Sequence, residues 1–286
     1  MPMNILALGR FGVELVGFSV RTASESDLQL FDSAFREHSF VLIRDPGMTA
    51  DEQISLLSRL GPVAIEMPGA ERASYIRHDP EVSGSGTVAG ADFGKGELAF
   101  HFDMSYTEDF PQWIVSLYAQ KVPKFGGETR LLHAGRAYER LDTETKMAIE
   151  GRRAVHVFDQ RKRLMRTREA DLSTYALRAV HDLVWPHPYG HGKVLMAMDA
   201  DTDRIVGLPR EQGEALLQRL FNVLASSDLV YDHQWRVGDL MVWDNRVLQH
   251  ARADFDPAEA RVLRRVACGD EKAILLHLRN RIEQRS

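Results

Sequence analysis

The stretch Glu97-Leu98-Ala99-Phe100-His101-Phe102-Asp103 carries the most informative local pattern in this chain. If the stretch is a strand, His101 and Asp103 project from one face, because alternate residues of a strand point the same way. An imidazole and a carboxylate side by side are half of a two-histidine, one-carboxylate metal site, which leaves coordination positions open. The triplet alone is a weak signal, since a chain with 11 histidines and 41 acidic residues contains such triplets by chance. A surface histidine and aspartate at a strand end is the alternative interpretation.

The remaining members of such a site have to come from far along the chain. His250, which follows Trp243-Asp244-Asn245-Arg246, is the candidate for the second imidazole, and only a folded barrel would bring it to the triplet. In the strand-like Arg-Val-Leu-Arg-Arg segment, Arg261 and Arg265 share one face and Arg264 points to the other. A guanidinium in the same cavity suits the distal carboxylate of a dicarboxylate ligand, which it binds through two parallel hydrogen bonds.

The regular elements around these residues indicate the fold class. Apolar residues recur at helical spacing behind capping residues, which predicts helices over 24–38, 49–60, 137–151 and 209–226. Short apolar runs bounded by turn residues predict strands, mostly in the second half of the chain: 40–43, 113–119, 129–132, 194–198, two within 229–243, and 260–267. Many short strands with helices outside them predict a mainly β fold with flanking helices, a jelly-roll barrel.

Composition limits the organisation and the partners of the chain. The 286 residues are 44% hydrophobic and 27% charged, which is ordinary for a globular protein, and no repeat divides them, so one domain over residues 1–286 is predicted. Glycine-rich residues 84–96 and polar, basic residues 159–180 are predicted lids. A formal net charge of −5 does not favour nucleic acid or an anionic membrane as a partner, because both attract a basic stripe.

The single cysteine and the absence of long apolar runs indicate the compartment. Cys268 has no partner for an intramolecular disulfide, which favours a reducing environment. The sequence shows no signal peptide and no apolar run of the ~20 residues that a membrane span needs. A cytoplasmic location is therefore expected.

Taken in order, the motifs of this chain resemble the taurine dioxygenase family, which includes the chlorophenoxyacetate dioxygenases. The resemblance extends from about Phe11 to Asp270 and rests on short matches whose order and spacing are specific, although each match is weak. The matching pieces are His101-Phe102-Asp103, Val122-Pro123, Gly126-Gly127-Glu128-Thr129, Ala137-Tyr138, His181, Val184, His187-Pro188, Gly192-Lys193, Ile205-Val206-Gly207, Trp235, Gly238-Asp239-Leu240, Trp243-Asp244-Asn245-Arg246, His250, and Arg261 to Arg265.

This resemblance implies a double-stranded β-helix, a form of jelly roll, and an enzyme that uses Fe(II), 2-oxoglutarate and O2. His101, Asp103 and His250 would ligate the iron. The expected reaction is hydroxylation, or another oxidation, of a small organic acid, with release of succinate and CO2. The presence of Asp103 favours hydroxylation over halogenation, because related halogenases lack this carboxylate. Family members are commonly dimers or tetramers, so a homo-oligomer is expected.

The resemblance also implies how the two organic molecules bind. Thr129 and Arg261 would hold the 2-oxoglutarate carboxylate, and Arg265 would bind an anionic group of the substrate, with a structural ion pair as its alternative role. Glu66 and Glu97 stand near positions where taurine-specific members have a histidine and an asparagine. Additional carboxylates repel an anionic substrate, which disfavours taurine. An amine-bearing acid, with Arg265 holding the carboxylate and Glu66 or Glu97 the ammonium, is one hypothesis, and an aryloxy acid is another.

Two function classes remain as alternatives to the dioxygenase. One is a non-catalytic jelly-roll module that binds a metal or a ligand. The other is a metal-dependent hydrolase, which uses the same ligand types to activate water. Neither needs the paired Thr129 and Arg261. Among residues without a proposed role, Arg264 is expected on a solvated or ion-paired face and His156 at the surface or in a lid.

Overall fold

The structure, a computed structural model, describes residues 3–45, 47–66, 71–81, 96–158, 168 and 177–283, with side chains up to residue 277. Its strands are β1 (Asn4–Ala7), β2 (Val13–Val16), β3 (Phe40–Arg44), β4 (Ser74–His78), β5 (Leu98–His101), β6 (Gln112–Lys121), β7 (Thr129–His133), β8 (Arg153–Phe158), β9 (Leu177–Asp182), β10 (Val184–Pro186), β11 (Lys193–Leu195), β12 (Thr202–Ile205), β13 (Val230–His233), β14 (Asp239–Asp244), β15 (Leu248–Arg252) and β16 (Arg261–Gly269). Its helices are α1 (Glu25–His38), α2 (Ala50–Ser58), α3 (Ala134–Arg140), α4 (Thr143–Ile149), α5 (Arg210–Leu224) and α6 (Glu271–Glu283).

Two facing sheets enclose the main core. Strands β1, β2, β3, β14, β6, β16 and β4 form a seven-stranded sheet in that order, and β13, β7, β15 and β5 form a four-stranded sheet. One buried cluster joins Leu117, Met241 and Leu263 of the larger sheet to Leu131 and Leu248 of the smaller one. Smaller sheets, β12-β8-β9 and β10-β11, flank this pair. The predicted mainly β, jelly-roll fold class is confirmed.

Strand β16 shows how alternation distributes residues between the two faces of the larger sheet. Leu263 packs in the core between the sheets, whereas Val266 and Cys268 pack on the opposite face, against helices α1 and α2. Burial of each large apolar side chain contributes about 1.5–3 kcal/mol, so the register of this strand is strongly fixed. Arg261 and Arg265 share the alternation of Leu263 and therefore lie on the inner face.

Helices cover the outer faces of both sheets. Helices α1 and α2 begin with capping boxes, in which Ser24 pairs with Asp27 and Thr49 with Glu52, as the sequence predicts for the first helix. Helices α3, α4 and α5 bury a separate cluster that includes Leu132 of β7, so they cover the four-stranded sheet. No helix among the described residues is long and apolar enough to cross a membrane.

Some predicted elements differ from the observed ones. The helix predicted over 137–151 is two helices, because Leu141 takes an extended conformation and Asp142 begins α4 by accepting a hydrogen bond from Thr145 N at 2.6 Å. The strand predicted over 194–198 ends at Leu195. Residues 177–180 of the second predicted lid form the start of β9 and pair with β8. Residues 84–95, 159–167 and 169–176 lie outside the described residues, so both lids stay predictions.

Candidate active site

Two strands of the smaller sheet place the candidate metal-binding histidines next to each other. Strand β5 ends at His101 and pairs with β15 so that His101 lies opposite His250. Directly opposed residues on antiparallel strands have Cβ atoms about 4.5–5.5 Å apart, and the two imidazole centroids are 4.2 Å apart. Residues from distant parts of the chain are thus joined by strand pairing.

Asp103 reaches the histidines by a different route. It lies in a turn beyond the end of β5, so the expectation that alternation on one strand places it was wrong. Asn245 holds this turn: Asp103 N–H donates to Asn245 Oδ1 at 2.9 Å, and Asn245 Nδ2 donates to the carbonyls of Asp103 at 3.0 Å and Gln112 at 2.9 Å. Met104, with a left-handed φ of 60°, then redirects the chain. The side-chain amide therefore fixes the backbone that carries the carboxylate.

The three side chains converge in a geometry that suits a metal ion. One potential ligand atom from each of His101, Asp103 and His250 lies within 4.8 Å of the others. Nε2 of His101 is 3.7 Å from Asp103 Oδ1, and Nε2 of His250 is 3.6 Å from Oδ2. Nδ1 of His101 bonds the Ala99 carbonyl at 2.8 Å, which orients Nε2 toward the cluster.

The electrostatics of His250 agree with a ligand role. Burial, and then repulsion from His101, lower the pKa of His250 to about 3 against the opposing pull of Asp103, so the imidazole is neutral, as a metal ligand has to be. Two nitrogens and one carboxylate oxygen on one side of a site fit a divalent transition metal that keeps open positions.

Arg265 links this cluster to Glu66. Its Nη2 donates to Asp103 Oδ2 at 2.9 Å, and its Nε lies 3.0 and 3.1 Å from the two oxygens of Glu66. Burial by itself lowers the pKa of Arg265, but Glu66 and Asp103 outweigh that effect and raise it. Burial by itself raises the pKa of Asp103, but the charge of Arg265 outweighs that effect and holds it well below its ordinary value. Arg265 is therefore a buried cation that is already paired with two carboxylates.

The two glutamates proposed for the substrate lie in different places. Glu66 is at the site, and beyond its bonds to Arg265 it accepts hydrogen bonds from Gln112 Nε2 and, at 3.2 Å, from Ser74 Oγ. Both of its oxygens are thus occupied. Glu97 is exposed, immediately before β5. Their role toward a substrate amine stays a prediction.

Arg261, on the same face of β16 as Arg265, is a second buried cation. Its Nε donates to Gly127 O at 2.9 Å and its Nη2 to Thr129 Oγ1 at 3.3 Å. Thr129 Oγ1 also accepts from Trp235 Nε1 at 3.1 Å. A hydroxyl oxygen that accepts two hydrogen bonds keeps its own proton free to donate. Arg261 and Thr129 therefore present N–H and O–H donors side by side.

The glycine pair of the Gly-Gly-Glu-Thr motif allows this close approach. Gly126 and Gly127 have left-handed φ values of 76° and 69°. A Cβ on Gly127 would lie 3.1 Å from Arg261 Cδ, and one on Gly126 would lie 2.3 Å from the Asp254 carbonyl oxygen. A side chain at either position would displace the backbone that holds Arg261.

The charge of Arg261, unlike that of Arg265, is not neutralised. Burial, and then repulsion from Arg252, lower the pKa of Arg261 to about 9, although Glu128 opposes them. Within the described ranges its hydrogen bonds go only to the neutral oxygens of Gly127 and Thr129. An uncompensated buried cation is unfavourable, so this position favours the binding of an anion.

Two residues are placed differently from expectation. Arg264 is buried rather than solvated, and it donates to Gln53 Oε1 at 2.7 Å and to the Met48 carbonyl at 2.8 Å, so the surface prediction was wrong. His156 is fully buried beside Thr202, whose Oγ1 lies 3.0 Å from Nδ1, and the surface prediction for it was also wrong. Periodicity assigned Arg264 correctly to the outer face of β16, but that face is covered by helix α2.

Sequence reasoning did not identify three contributions to the site. Trp235 and Asn245 lie in matched motifs, which marked them but did not reveal what their side chains bond. Asp201 lies in no motif, yet its carboxylate is close enough to His101 to affect the pKa of that imidazole. Only the folded arrangement of strands brings Asp201 to this place.

A jelly roll that holds a two-histidine, one-carboxylate cluster beside a buried, uncompensated arginine has the features of a 2-oxoglutarate-dependent dioxygenase. The family model described as "Taurine catabolism dioxygenase TauD, TfdA family" matches residues 4–267. The chain belongs to this family, and it is a 2-oxoglutarate-dependent dioxygenase. The predicted family is confirmed, and neither alternative function class is favoured.

Two dioxygenases are similar in sequence to this protein over most of its length. An (S)-phenoxypropionate/alpha-ketoglutarate-dioxygenase of Sphingobium herbicidovorans is 28% identical over 263 residues, which cover 88% of this chain and 90% of that protein. An alpha-ketoglutarate-dependent 2,4-dichlorophenoxyacetate dioxygenase of Cupriavidus pinatubonensis is 28% identical over 252 residues, 83% and 87% of the two chains.

Solved structures support the fold. A structure of AAD-2 in complex with Mn(II) and N-oxalylglycine superimposes with a TM-score of 0.76 at 22% identity, covering 94% of this chain and 97% of that one. A taurine dioxygenase from Burkholderia xenovorans gives a TM-score of 0.73 at 23% identity, with coverage of 94% and 91%.

Proposed function

We propose that this enzyme uses Fe(II), 2-oxoglutarate and O2 to hydroxylate, or otherwise oxidise, a small organic molecule, with release of succinate and CO2. The observation that carries the proposal is the uncompensated Arg261 beside the three-residue cluster. Thr129 lies on β7 two positions from Leu131, the strand partner of His250, a separation of about 7 Å along a strand. A dicarboxylate of the length of 2-oxoglutarate suits that span.

Two separate groups of residues would bind the iron and the 2-oxoglutarate. His101, Asp103 and His250 would hold the iron, and Arg261 and Thr129 would hold the distal carboxylate of 2-oxoglutarate through charge-assisted hydrogen bonds. When bound, the iron supplies the activation of O2 that is coupled to oxidation of the cosubstrate. The protein supplies the orientation of these groups.

Arg265 acts on the metal site rather than only on a substrate. Because it bonds Asp103 and is itself bonded by Glu66, it orients the carboxylate that faces the two histidines. Two relatives are named for phenoxypropionate and 2,4-dichlorophenoxyacetate. An acid would bind Arg265 here only in competition with Glu66 and Asp103. The organic acid expected from the sequence, with Arg265 as its partner, therefore remains a prediction.

Anaerobic reconstitution tests the cofactor assignment. Fe(II) and 2-oxoglutarate added without O2 are expected to produce the weak visible charge-transfer band of a chelated keto acid. The band is expected to disappear in His101→Ala and to need more 2-oxoglutarate in Arg261→Ala, because the first change removes a ligand and the second removes the carboxylate clamp. A folded protein that binds Fe(II) and gives no band would contradict the proposal and favour a binding module.

A further inference from the structure

Three adjoining strands of the larger sheet hold the carboxylate of Glu66. Gln112 Nε2 on β6 donates to its Oε1, and Ser74 Oγ on β4 donates to its Oε2 at 3.2 Å. Arg265 Nε, on β16 between those two strands, lies 3.0 and 3.1 Å from the two oxygens. The side chains of Glu66 and Arg265 are only 10% and 11% exposed. The carboxylate is therefore fixed at the guanidinium by its own hydrogen bonds.

Glu66 and Arg265 also belong to a closed ring of hydrogen bonds at Asp103. Gln112 donates to Glu66 from its side chain, and its carbonyl accepts from Asn245 Nδ2 at 2.9 Å. Asn245 holds the backbone of Asp103, and Arg265 Nη2 donates to Asp103 Oδ2 at 2.9 Å. The ring therefore runs through Asp103, Arg265, Glu66, Gln112 and Asn245 and returns to Asp103. Turning Arg265 away from either neighbour would open it.

The charges of this ring disfavour an additional anion. Two carboxylates, those of Glu66 and Asp103, face the single guanidinium of Arg265. An external carboxylate at this place would be repelled by them. To bind, it would have to displace Glu66, and a buried carboxylate that loses its cation is strongly unfavourable. Even if a metal ion neutralises Asp103, Glu66 still neutralises Arg265.

Arg261 provides a comparison on the same face of β16. Within the described residues its hydrogen bonds go to the neutral oxygens of Gly127 and Thr129, whereas Arg265 bonds the carboxylate of Glu66. One of the two arginines therefore favours an external anion and the other does not. The proposed function assigns the anion at Arg261 to the cosubstrate.

Building on the proposed function, we propose that Glu66 determines the substrate class by closing Arg265 to external anions. The substrate is a small organic molecule that carries no anionic group at Arg265. Glu66 acts as an internal counter-ion there and not as a ligand for a substrate ammonium. An acid anchored on Arg265, which the sequence led us to expect, is thereby disfavoured.

Binding to the inert complex of the full chain with Mn(II) and N-oxalylglycine tests this proposal without turnover. Two pairs of probes differ only in the charge of the head group: phenoxyacetate with phenoxyacetamide, and hexanoate with hexanamide. For the wild type, calorimetry is expected to show that neither acid binds more than about threefold more tightly than its amide. This comparison requires no substitution.

Glu66→Gln removes the charge and keeps an oxygen for Arg265. With Mn(II) and N-oxalylglycine saturating, at least one acid should bind about tenfold or more tightly than it binds the wild type, as one charge-assisted hydrogen bond provides. The affinity of its amide should change less than about threefold. The gain should be lost in the double variant Glu66→Gln, Arg265→Met. Glu71→Gln, at an exposed position before β4, is the matched control and should give no gain.

Glu66→Ala provides a second measurement that does not depend on the probes. The space that it opens beside Arg265 suits a small carboxylate, so acetate should raise the Tm of the ligand-free variant more than acetamide does. Acetate should not raise the Tm of Glu71→Gln above that of the wild type. Equal effects of acetate and acetamide on Glu66→Ala would contradict the proposal.

The outcomes separate this inference from the proposed function. If N-oxalylglycine does not bind the Mn(II)-loaded wild type, the proposed function fails and this inference falls with it. If N-oxalylglycine binds but an acid binds the wild type tenfold more tightly than its amide, only the role of Glu66 is refuted. The same holds if Glu66→Gln gives no gain for either acid, or if the gain persists in the double variant.

Discussion

Replacing Arg261 by methionine is expected to weaken cosubstrate binding without weakening the fold. Arg261 is 2% exposed, and its guanidinium bonds only neutral oxygens of Gly127 and Thr129 within the described residues. Methionine has a flexible side chain that fills irregular space. The substitution therefore removes a charge from a buried place while preserving most of the packing around it.

The two effects have opposite signs, and both follow from the structure. Loss of two charge-assisted hydrogen bonds to a carboxylate costs about 3 kcal/mol or more, which corresponds to about a hundredfold or greater rise in Kd. In the ligand-free protein, burial and Arg252 lower the pKa of Arg261 from its ordinary value to about 9, a shift equivalent to several kcal/mol of unfavourable charge burial. The substitution also removes the two hydrogen bonds to Gly127 and Thr129, which offsets about 2 kcal/mol of the gain from removing the buried charge. The free energy of unfolding should therefore stay equal or rise.

Calorimetric titration of N-oxalylglycine into the Mn(II)-loaded protein, together with urea unfolding of the ligand-free protein, measures both effects. Arg264→Met is the matched control, because Arg264 is buried on the same strand but donates to Gln53 and the Met48 carbonyl on the helix side. The control should lower stability and leave Kd unchanged. A Kd for Arg261→Met within about threefold of the wild type would show that Arg261 is not the carboxylate clamp.

Three further perturbations test other parts of the site and the core. Asn245→Ala should lower Mn(II) affinity about 10- to 100-fold, because Asp103 loses its backbone anchor; titration by electron paramagnetic resonance measures this, and unchanged affinity in a folded variant would contradict the anchoring role. Glu66→Gln should destabilise by about 3 kcal/mol in urea unfolding, since it leaves Arg265 with one fewer carboxylate partner; a neutral effect would show that the ion pair is not stabilising. Burial lowers the pKa of His156 to about 3. Between about pH 6.5 and pH 3 the unfolded chain therefore binds a proton that the folded protein does not. As a result, the free energy of unfolding falls by up to about 1.4 kcal/mol for each pH unit by which the pH decreases. His156→Asn, which keeps a polar atom near the Nδ1 position, should flatten that decline, and an unchanged slope would refute the assignment.

The fold class was predictable because hydrophobic patterning and capping act locally. The capping box of Ser24 and Asp27 and the strand at Phe40–Arg44 appear where the sequence places them. Hydrophobic patterning did not predict the break between α3 and α4, because a single side-chain hydrogen bond determines it. Asp142 caps a new helix within a stretch whose apolar periodicity is continuous. Patterning also failed at Asp103, where an amide from a distant turn replaces strand geometry.

Motifs predicted which three residues would lie together as the candidate metal ligands, whereas they did not predict the charges around them. His101 and His250 become neighbours through the register of β5 and β15, which no local pattern encodes. The pairing of Arg265 with Glu66 joins residues from opposite ends of the chain. The turn that carries Asp201 is bonded to Phe102 through Met198. Such contacts depend on tertiary structure, so residue identity alone did not decide which cation or carboxylate remains free.

Two arginines on one face of β16 differ in whether a carboxylate of the chain neutralises them. Arg261 has no carboxylate contact among the described residues, so its positive charge favours the binding of an external anion. That requirement favours a dicarboxylate cosubstrate, whatever the substrate is. The charge of Arg265 is neutralised within the chain by the carboxylate of Glu66. The internal carboxylate of Glu66 therefore takes the place at Arg265 that an external anion would otherwise fill.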